Sequence, residues 1–143
     1  MDNKLIIEKI DKELPSPRYA LEGDGGLDCY SSQDVTLTPD GSPITIPLGI
    51  KVQLPEGHVA LVLAKSGLSS KQGLNTVVGL IDNGYRGEVH MIAHNISDQE
   101  IKIEKGQKVC QLMVIKLPNL SVEYGNVDCE TQRGDNGFGS TGI

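Results

Sequence analysis

The sequence predicts an all-β domain of the sandwich, jelly-roll or barrel type, followed by a Gly-rich C-terminal arm. Three observations carry this reading. Apolar and polar residues alternate in short runs, as strands with one buried face require. Gly and Pro turn signals separate these runs at spacings of about eight to twelve residues. Aromatics are scarce, with no Trp, four Tyr and one Phe in 143 residues, so the core must be built from Val, Ile, Leu and Ala. A chain of this length is most simply one domain with a real core.

Lys4 to Ile10 alternates apolar and charged residues and is a first strand candidate, ended by a loop from Asp11 to Pro17. Glu22-Gly23-Asp24-Gly25-Gly26 is a dense turn signal leading into Leu27-Asp28-Cys29-Tyr30. Val35 to Thr38 alternates up to Pro39-Asp40-Gly41, and Ile44 to Leu54 alternates up to Pro55-Glu56-Gly57. His58 to Leu63 is a further strand. Ala64 to Gly73 breaks the pattern and is the one stretch expected to hold a helical turn, with Ser66 as its N-cap. Leu74 to Leu80 is apolar. Asn83-Gly84 then signals a tight type I′ hairpin, since both central positions of that turn need φ > 0. Val89 to His94 is the expected return strand, and Glu100 to Glu104 a charged one. Lys108 to Ile115 is the most apolar strand, and Leu120 to Tyr124 the last. The body is therefore expected over residues 1–124 and the arm over 125–143. Thr131 to Gly142 has no periodicity and four glycines in twelve residues, yet it carries the only Phe, together with Arg133, Ser140 and Thr141.

Composition also narrows function. The net charge of −6 leaves no basic face to displace counterions, which argues against a nucleic-acid partner. Cys29, Cys110 and Cys129 are odd in number with no CxxC pair, and two lie in strands, so a reducing compartment without structural disulfides is expected. The start of the chain lacks an apolar leader, and no run approaches membrane-spanning length. A soluble, cytoplasmic protein is expected (in the host cytoplasm if the source is viral).

Several stretches carry chemistry. Gly79 to Val89 delivers Asp82 to a turn, with Tyr85 and Arg86 directly after it: a carboxylate and a ring at one tip form a small pocket. Lys65-Ser66-Gly67 offers a cation, a hydroxyl and backbone N–H groups. Gln111 is an amide inside an apolar strand, either a satisfied buried group or a neutral donor reaching into a site. Asp28, after two glycines, is a turn residue or a carboxylate for a hydrated Mg²⁺. His90 and His94 share a strand face but have no third ligand at matching spacing, which argues against zinc. In the arm, glycines permit close backbone approach, Arg133 supplies a fork, Ser140 and Thr141 supply hydroxyls, and Phe138 can stack on a planar ring. No Lys precedes the Ser-Thr pair and no strand precedes the glycines, so it is not a Walker loop.

In order and type these stretches resemble the five motifs of the homotrimeric deoxyuridine triphosphatases (dUTPases). The first is Pro17-Arg18-Tyr19-Ala20 with Gly25-Gly26-Leu27-Asp28, and the second Lys65-Ser66-Gly67-Leu68. The third runs from Gly79 to Gly87, the fourth from Lys105 to Leu112 and the fifth from Arg133 to Gly142. The resemblance implies a jelly-roll-like, distorted β-barrel, a trimer with three shared active sites, and Mg²⁺-dependent hydrolysis of dUTP to dUMP and pyrophosphate. It implies that Asp82 holds the sugar 3′-hydroxyl and activates water, and that Tyr85 lies under the deoxyribose and excludes a 2′-hydroxyl. The backbone from Gly79 through Ile81 would pair with uracil. Lys65, Ser66, Gly67 and Gln111 would bind phosphate, and Asp28 would stand near the metal-bound waters. Arg133, Phe138, Gly139, Ser140 and Thr141 would close over base and phosphates. Lys65 stands where the family usually has Arg, replacing a bidentate fork by a point charge. Asp135-Asn136 stands where small residues are commoner. A dCTP deaminase of the same fold would need a glutamate on the strand after the turn, and Val89 to His94 has none. An added regulatory protein-binding role is compatible with the fold, since function resides in sites and surfaces.

Overall fold

The structure, a computed structural model, describes residues 3–142. Met1-Asp2, where no apolar leader was expected, and the last arm residue, Ile143, lie outside them. The described chain is all-β apart from one short helix, and every strand pairing is antiparallel. In chain order the elements are β1 (Ile6–Lys9), β2 (Leu27–Tyr30), β3 (Val35–Leu37), β4 (Ile44–Pro47), β5 (Ile50–Gln53) and β6 (His58–Ala64). Then follow α1 (Ser66–Gln72), β7 (Leu74–Val77), β8 (Gly79–Ile81), β9 (His90–Asn95), β10 (Ile101–Ile103) and β11 (Lys108–Lys116).

These strands form four small sheets, ordered β2-β11-β6-β8, β4-β9-β7, β1-β5 and β10-β3. The first two dominate. Their inner faces enclose a core of Leu27, Ile46, Val62, Leu74, Met91, Val109 and Leu112. The period-2 pattern is visible in β9, where Met91, Ala93 and Asn95 are buried and His90 and Ile92 are exposed. The buried amide of Asn95 is satisfied: it donates to Leu37 O (3.1 Å) and accepts from Ser97 N (2.9 Å). Among the described residues no helix is long and apolar enough to cross a membrane.

The expected elements are refined in four places. The run from Ile44 to Leu54 is two strands, because Gly49 takes a left-handed φ of 68° and turns the chain between sheets. The helix runs from Ser66 to Gln72 with Lys65, not Ser66, as N-cap. Lys65 keeps extended dihedrals and no side chain caps the helix, so Ser66 is its first helical residue rather than its cap. Third, the hairpin at Asn83-Gly84 is not formed. β8 pairs with β6, and β9 with β4 and β7, so the intervening turn bridges two sheets. Neither Asn83 nor Gly84 takes positive φ, which excludes type I′ geometry. Fourth, Leu120 to Tyr124 forms no strand: Leu120, Val122 and Tyr124 are all exposed and have nothing to pair with in a single chain.

A Cβ on Gly49 would lie 2.8 Å from Leu14 Cδ1 and 3.0 Å from Asp11 Cβ, in addition to the cost of its left-handed φ. Gly49→Ala is therefore expected to destabilise the fold by about 1–3 kcal/mol. A lowered urea midpoint at unchanged slope is the readout.

Candidate active site

The row Asp28–Gln111–Leu63 runs across β2, β11 and β6, and Val62, one residue further on, stands opposite Gly79 of β8. The sheet thus carries two chemically different regions. At strand spacings of about 4.8 Å, β2 and β8 lie roughly 14 Å apart.

The first region is polar. Asp28 is almost fully buried, yet both its oxygens are engaged: Lys65 Nζ donates to Oδ1, and Lys108 Nζ lies 3.3 Å from Oδ2. Burial pushes its carboxyl up, but the hydrogen bonds and charges of Lys65 and Lys108 outweigh burial and hold it below the usual carboxylate range. Lys65 enters at the end of β6, and Lys108 stands opposite Tyr30 just before the bulge between Lys108 and Cys110. That pairing is invisible in sequence, which is why Lys108 was not anticipated. Gln111 donates from Nε2 to Ala64 O at 2.9 Å, so its amide is a fixed element of the site rather than a loose core polar group. Gly26 makes room for it, since an added Cβ would sit 2.3 Å from Gln111 Oε1. Behind this cluster Cys29 and Cys110 are opposed, reduced and buried. The Cys110 thiol is pushed well above its usual range by its hydrogen bond to Cys29 and by burial, so it stays neutral. Ser66 and Gly67 follow directly and are exposed.

The second region is an apolar cavity of about 330 Å³, lined by Gly79, Leu80, Ile81, Asp82, Tyr85, by Val89 just before β9 and, from the other sheet, by Thr45 and Ile92. β8 is the terminal strand of its sheet, so its outer edge faces no other strand. Asp82 is exposed at the cavity, on a turn closed by Tyr85 N–H donating to Asp82 O at 3.1 Å. The Tyr85 hydroxyl donates to Glu88 O at 2.8 Å. Gly87 permits that posture, because a Cβ there would meet Tyr85 Oη at 2.5 Å. Glu88, also on the cavity wall, accepts from Gly49 N–H at 3.0 Å, which gives this carboxylate a structural task.

The arm joins neither region in the single chain. Its hydrogen bonds are local, as in Gly134 N–H to Thr131 Oγ1 at 2.9 Å and Arg133 Nη1 to Asn136 O at 3.5 Å. Arg133 and Thr141 border a shallow groove of their own, while Phe138, Gly139 and Ser140 are exposed. Phe138 alone among the described non-glycine residues takes a left-handed φ, 51°.

Comparison with known proteins places the chain in a family. The dUTPase family model matches residues 12–142. The deoxyuridine 5'-triphosphate nucleotidohydrolase of Dictyoglomus turgidum is 40% identical, over 98% of this chain and 99% of that protein. The nucleotidohydrolase of Clostridium novyi is 41% identical with the same coverage. Among solved structures, a point mutant of the Staphylococcus bacteriophage 80alpha dUTPase with dUpNHpp superposes with a TM-score of 0.89. It is 26% identical and is matched over 99% of this chain and 100% of its own. The fold and these relatives together define a jelly-roll-like nucleotide hydrolase. The chain belongs to the dUTPase family.

Gly26→Ala is expected to drive the Gln111 amide off Ala64 O and to lower nucleotide turnover about tenfold, the consequence of one displaced, partly buried hydrogen-bonding group. Steady-state pyrophosphate release, compared at unchanged circular dichroism, checks this.

Proposed function

We propose that the protein hydrolyses dUTP to dUMP and pyrophosphate by attack of water on the α-phosphorus. The observation that carries the reading is the pairing of an exposed carboxylate, Asp82, and a ring, Tyr85, on one turn at an apolar cavity bordered by the free edge of β8. The backbone from Gly79 through Ile81, on a strand with no neighbour on its outer side among the described residues, is suited to reading a planar base by hydrogen bonds, as an exposed strand edge reads another strand. Tyr85 lies under the sugar and leaves no room for a 2′-hydroxyl. Asp82 orients a water, takes its proton and holds the 3′-hydroxyl. Lys65, Ser66, Gly67 and Gln111 bind the phosphates.

Mg²⁺ fits as a hydrated ion brought by the triphosphate. The described residues contain no cluster of three metal-ligating side chains, and Asp28 is a single carboxylate already held by two lysines. A cage of protein ligands is therefore not built, whereas one carboxylate plus substrate phosphates is how Mg²⁺ is usually bound. Asp28 would hold the ion through its waters as Lys65 and Lys108 turn to the phosphates. When bound, the ion gathers the phosphates and neutralises the leaving pyrophosphate.

The working unit in this reading is a homotrimer with shared sites. Val77, Val78, Leu80 and Ile92 expose an apolar surface beside the cavity. The alternation Leu120, Val122, Tyr124 suits a strand that finds its partner only on another copy. The exposed, left-handed Phe138 suits a ring that docks elsewhere, with Arg133, Gly139, Ser140 and Thr141 closing over base and phosphates. Body and arm divide near residue 124. The reduced thiols of Cys29 and Cys110 support a cytoplasmic setting.

Pyrophosphate release with dUTP, dCTP, dTTP and UTP, with and without Mg²⁺, tests the reading: dUTP should be strongly preferred and the metal required. Asp82→Asn should keep nucleotide binding while turnover falls by about 10²–10⁴-fold, the usual contribution of a positioned base. Calorimetric titration with a non-hydrolysable analogue separates the two effects. Deleting residues from Gly134 onward should cut turnover while sedimentation still reports a trimer. A truncated protein with full activity would remove the arm from the mechanism.

A further inference from the structure

We infer that Asn83 is a positioning residue for hydrolysis: its side-chain amide clamps the turn bearing Asp82 and Tyr85 to the Pro55–His58 turn. The inference rests on the dUTP-hydrolysis reading. Asn83 Nδ2 donates to Pro55 O at 2.8 Å and to His58 O at 2.9 Å, across 28 and 25 residues of sequence. Both protons of one nitrogen are therefore spent on a single neighbouring turn. On the other side of the same segment, Arg86 Nη1 donates to Asn83 O at 2.8 Å and to Tyr85 O at 3.0 Å. The turn is held by one amide below and one guanidinium above.

The clamp has something rigid to grip. The Pro55–His58 turn is closed by His58 N–H to Pro55 O at 3.2 Å and tied to the end of β11 by Leu117 N–H to Gly57 O at 2.8 Å. His58 itself begins β6, opposite Lys116. By contrast, β8 pairs with β6 only from Gly79 to Ile81. Asp82 thus stands one residue beyond the end of its ladder, and Asn83 is the next residue that refers it back to the sheet.

Backbone conformation does not explain the choice of Asn here. Asn83 has no positive φ, so most residues fit the turn. What the position uses is a nitrogen with two N–H groups, which Ala, Ser and Asp lack. Because Asp82 and Tyr85 are the first and last residues of the turn, one loosened clamp moves both the water-activating carboxylate and the ring that tests the sugar. A residue that merely stabilised the fold would change the amount of active protein, which cancels in a ratio of two substrates. A positioning residue changes the ratio.

The experiment uses the full chain and its N83A and N83D variants, measuring kcat and KM for dUTP and UTP alongside melting temperature. For N83A, kcat with dUTP should fall about tenfold, with a smaller change in KM, and the dUTP-to-UTP ratio of kcat/KM should shrink. N83D should be worse than N83A despite its equal size, because its oxygens face two carbonyl oxygens. If N83D does not fold, N83A and N83S decide on the same ratio. Variants that keep the wild-type ratio, whether or not they melt earlier, overturn the inference and leave the hydrolysis reading standing. A wild-type protein that releases no pyrophosphate from dUTP overturns both.

Discussion

The molecule depends on the ladder between β6 and β11, which runs without a break from Cys110 opposite Ala64 to Lys116 opposite His58. Each end of β6 serves a different part of the site. At Ala64 a carbonyl fixes the Gln111 amide, and the next residue, Lys65, reaches Asp28. At His58 a carbonyl receives Asn83 and so fixes the turn that carries Asp82. A one-residue slip in this register would send every side chain to the opposite face of the sheet. Both regions would be lost together, although they lie far apart in sequence. The apolar core of Val62, Val109 and Leu112 holds the register by making such a slip expensive.

Electrostatics divides the labour between these regions. In the polar one, the single buried carboxylate is compensated in advance by two lysines that are themselves partly exposed. Such a cluster keeps cationic groups at the surface without leaving a bare charge in the interior, which would be costly. The apolar one keeps its carboxylate at the surface. Asp82 has no buried partner to satisfy and is available to water. The presence of Lys65 where an Arg was expected fits this arrangement: a compact ammonium on a flexible stem meets a single carboxylate oxygen, where a planar fork would span two.

Much of this was legible in the sequence, and the misses have physical causes. Alternation located nearly every strand, because one buried face imposes period 2. Motif order identified the family, and it singled out Asp28, Gln111, Asp82 and Tyr85 as candidate site residues. Pairing was not legible: the apolar runs on either side of Asn83-Gly84 suggest a hairpin, yet each strand finds its partner elsewhere. The dipeptide has two physical uses, left-handed backbone and side-chain donation, and composition cannot tell which operates. Lys108 and Gly26 escaped for the same reason, since their roles exist only once β2 lies beside β11. The strand expected over Leu120 to Tyr124 shows the opposite case, in which a correct local pattern has no partner within one chain.

The core built without large rings has an optical consequence. With no Trp, four Tyr and one weakly absorbing Phe, the near-ultraviolet absorbance and intrinsic emission of the protein are dominated by tyrosine. Tyr30 is buried, while Tyr19 and Tyr124 face solvent away from the cavity. Tyr85, half-exposed on the cavity wall with its hydroxyl donating to a carbonyl, is the one chromophore whose surroundings a ligand in that cavity must alter. The protein therefore carries an unlabelled reporter inside its own pocket, against a background of only three other tyrosines.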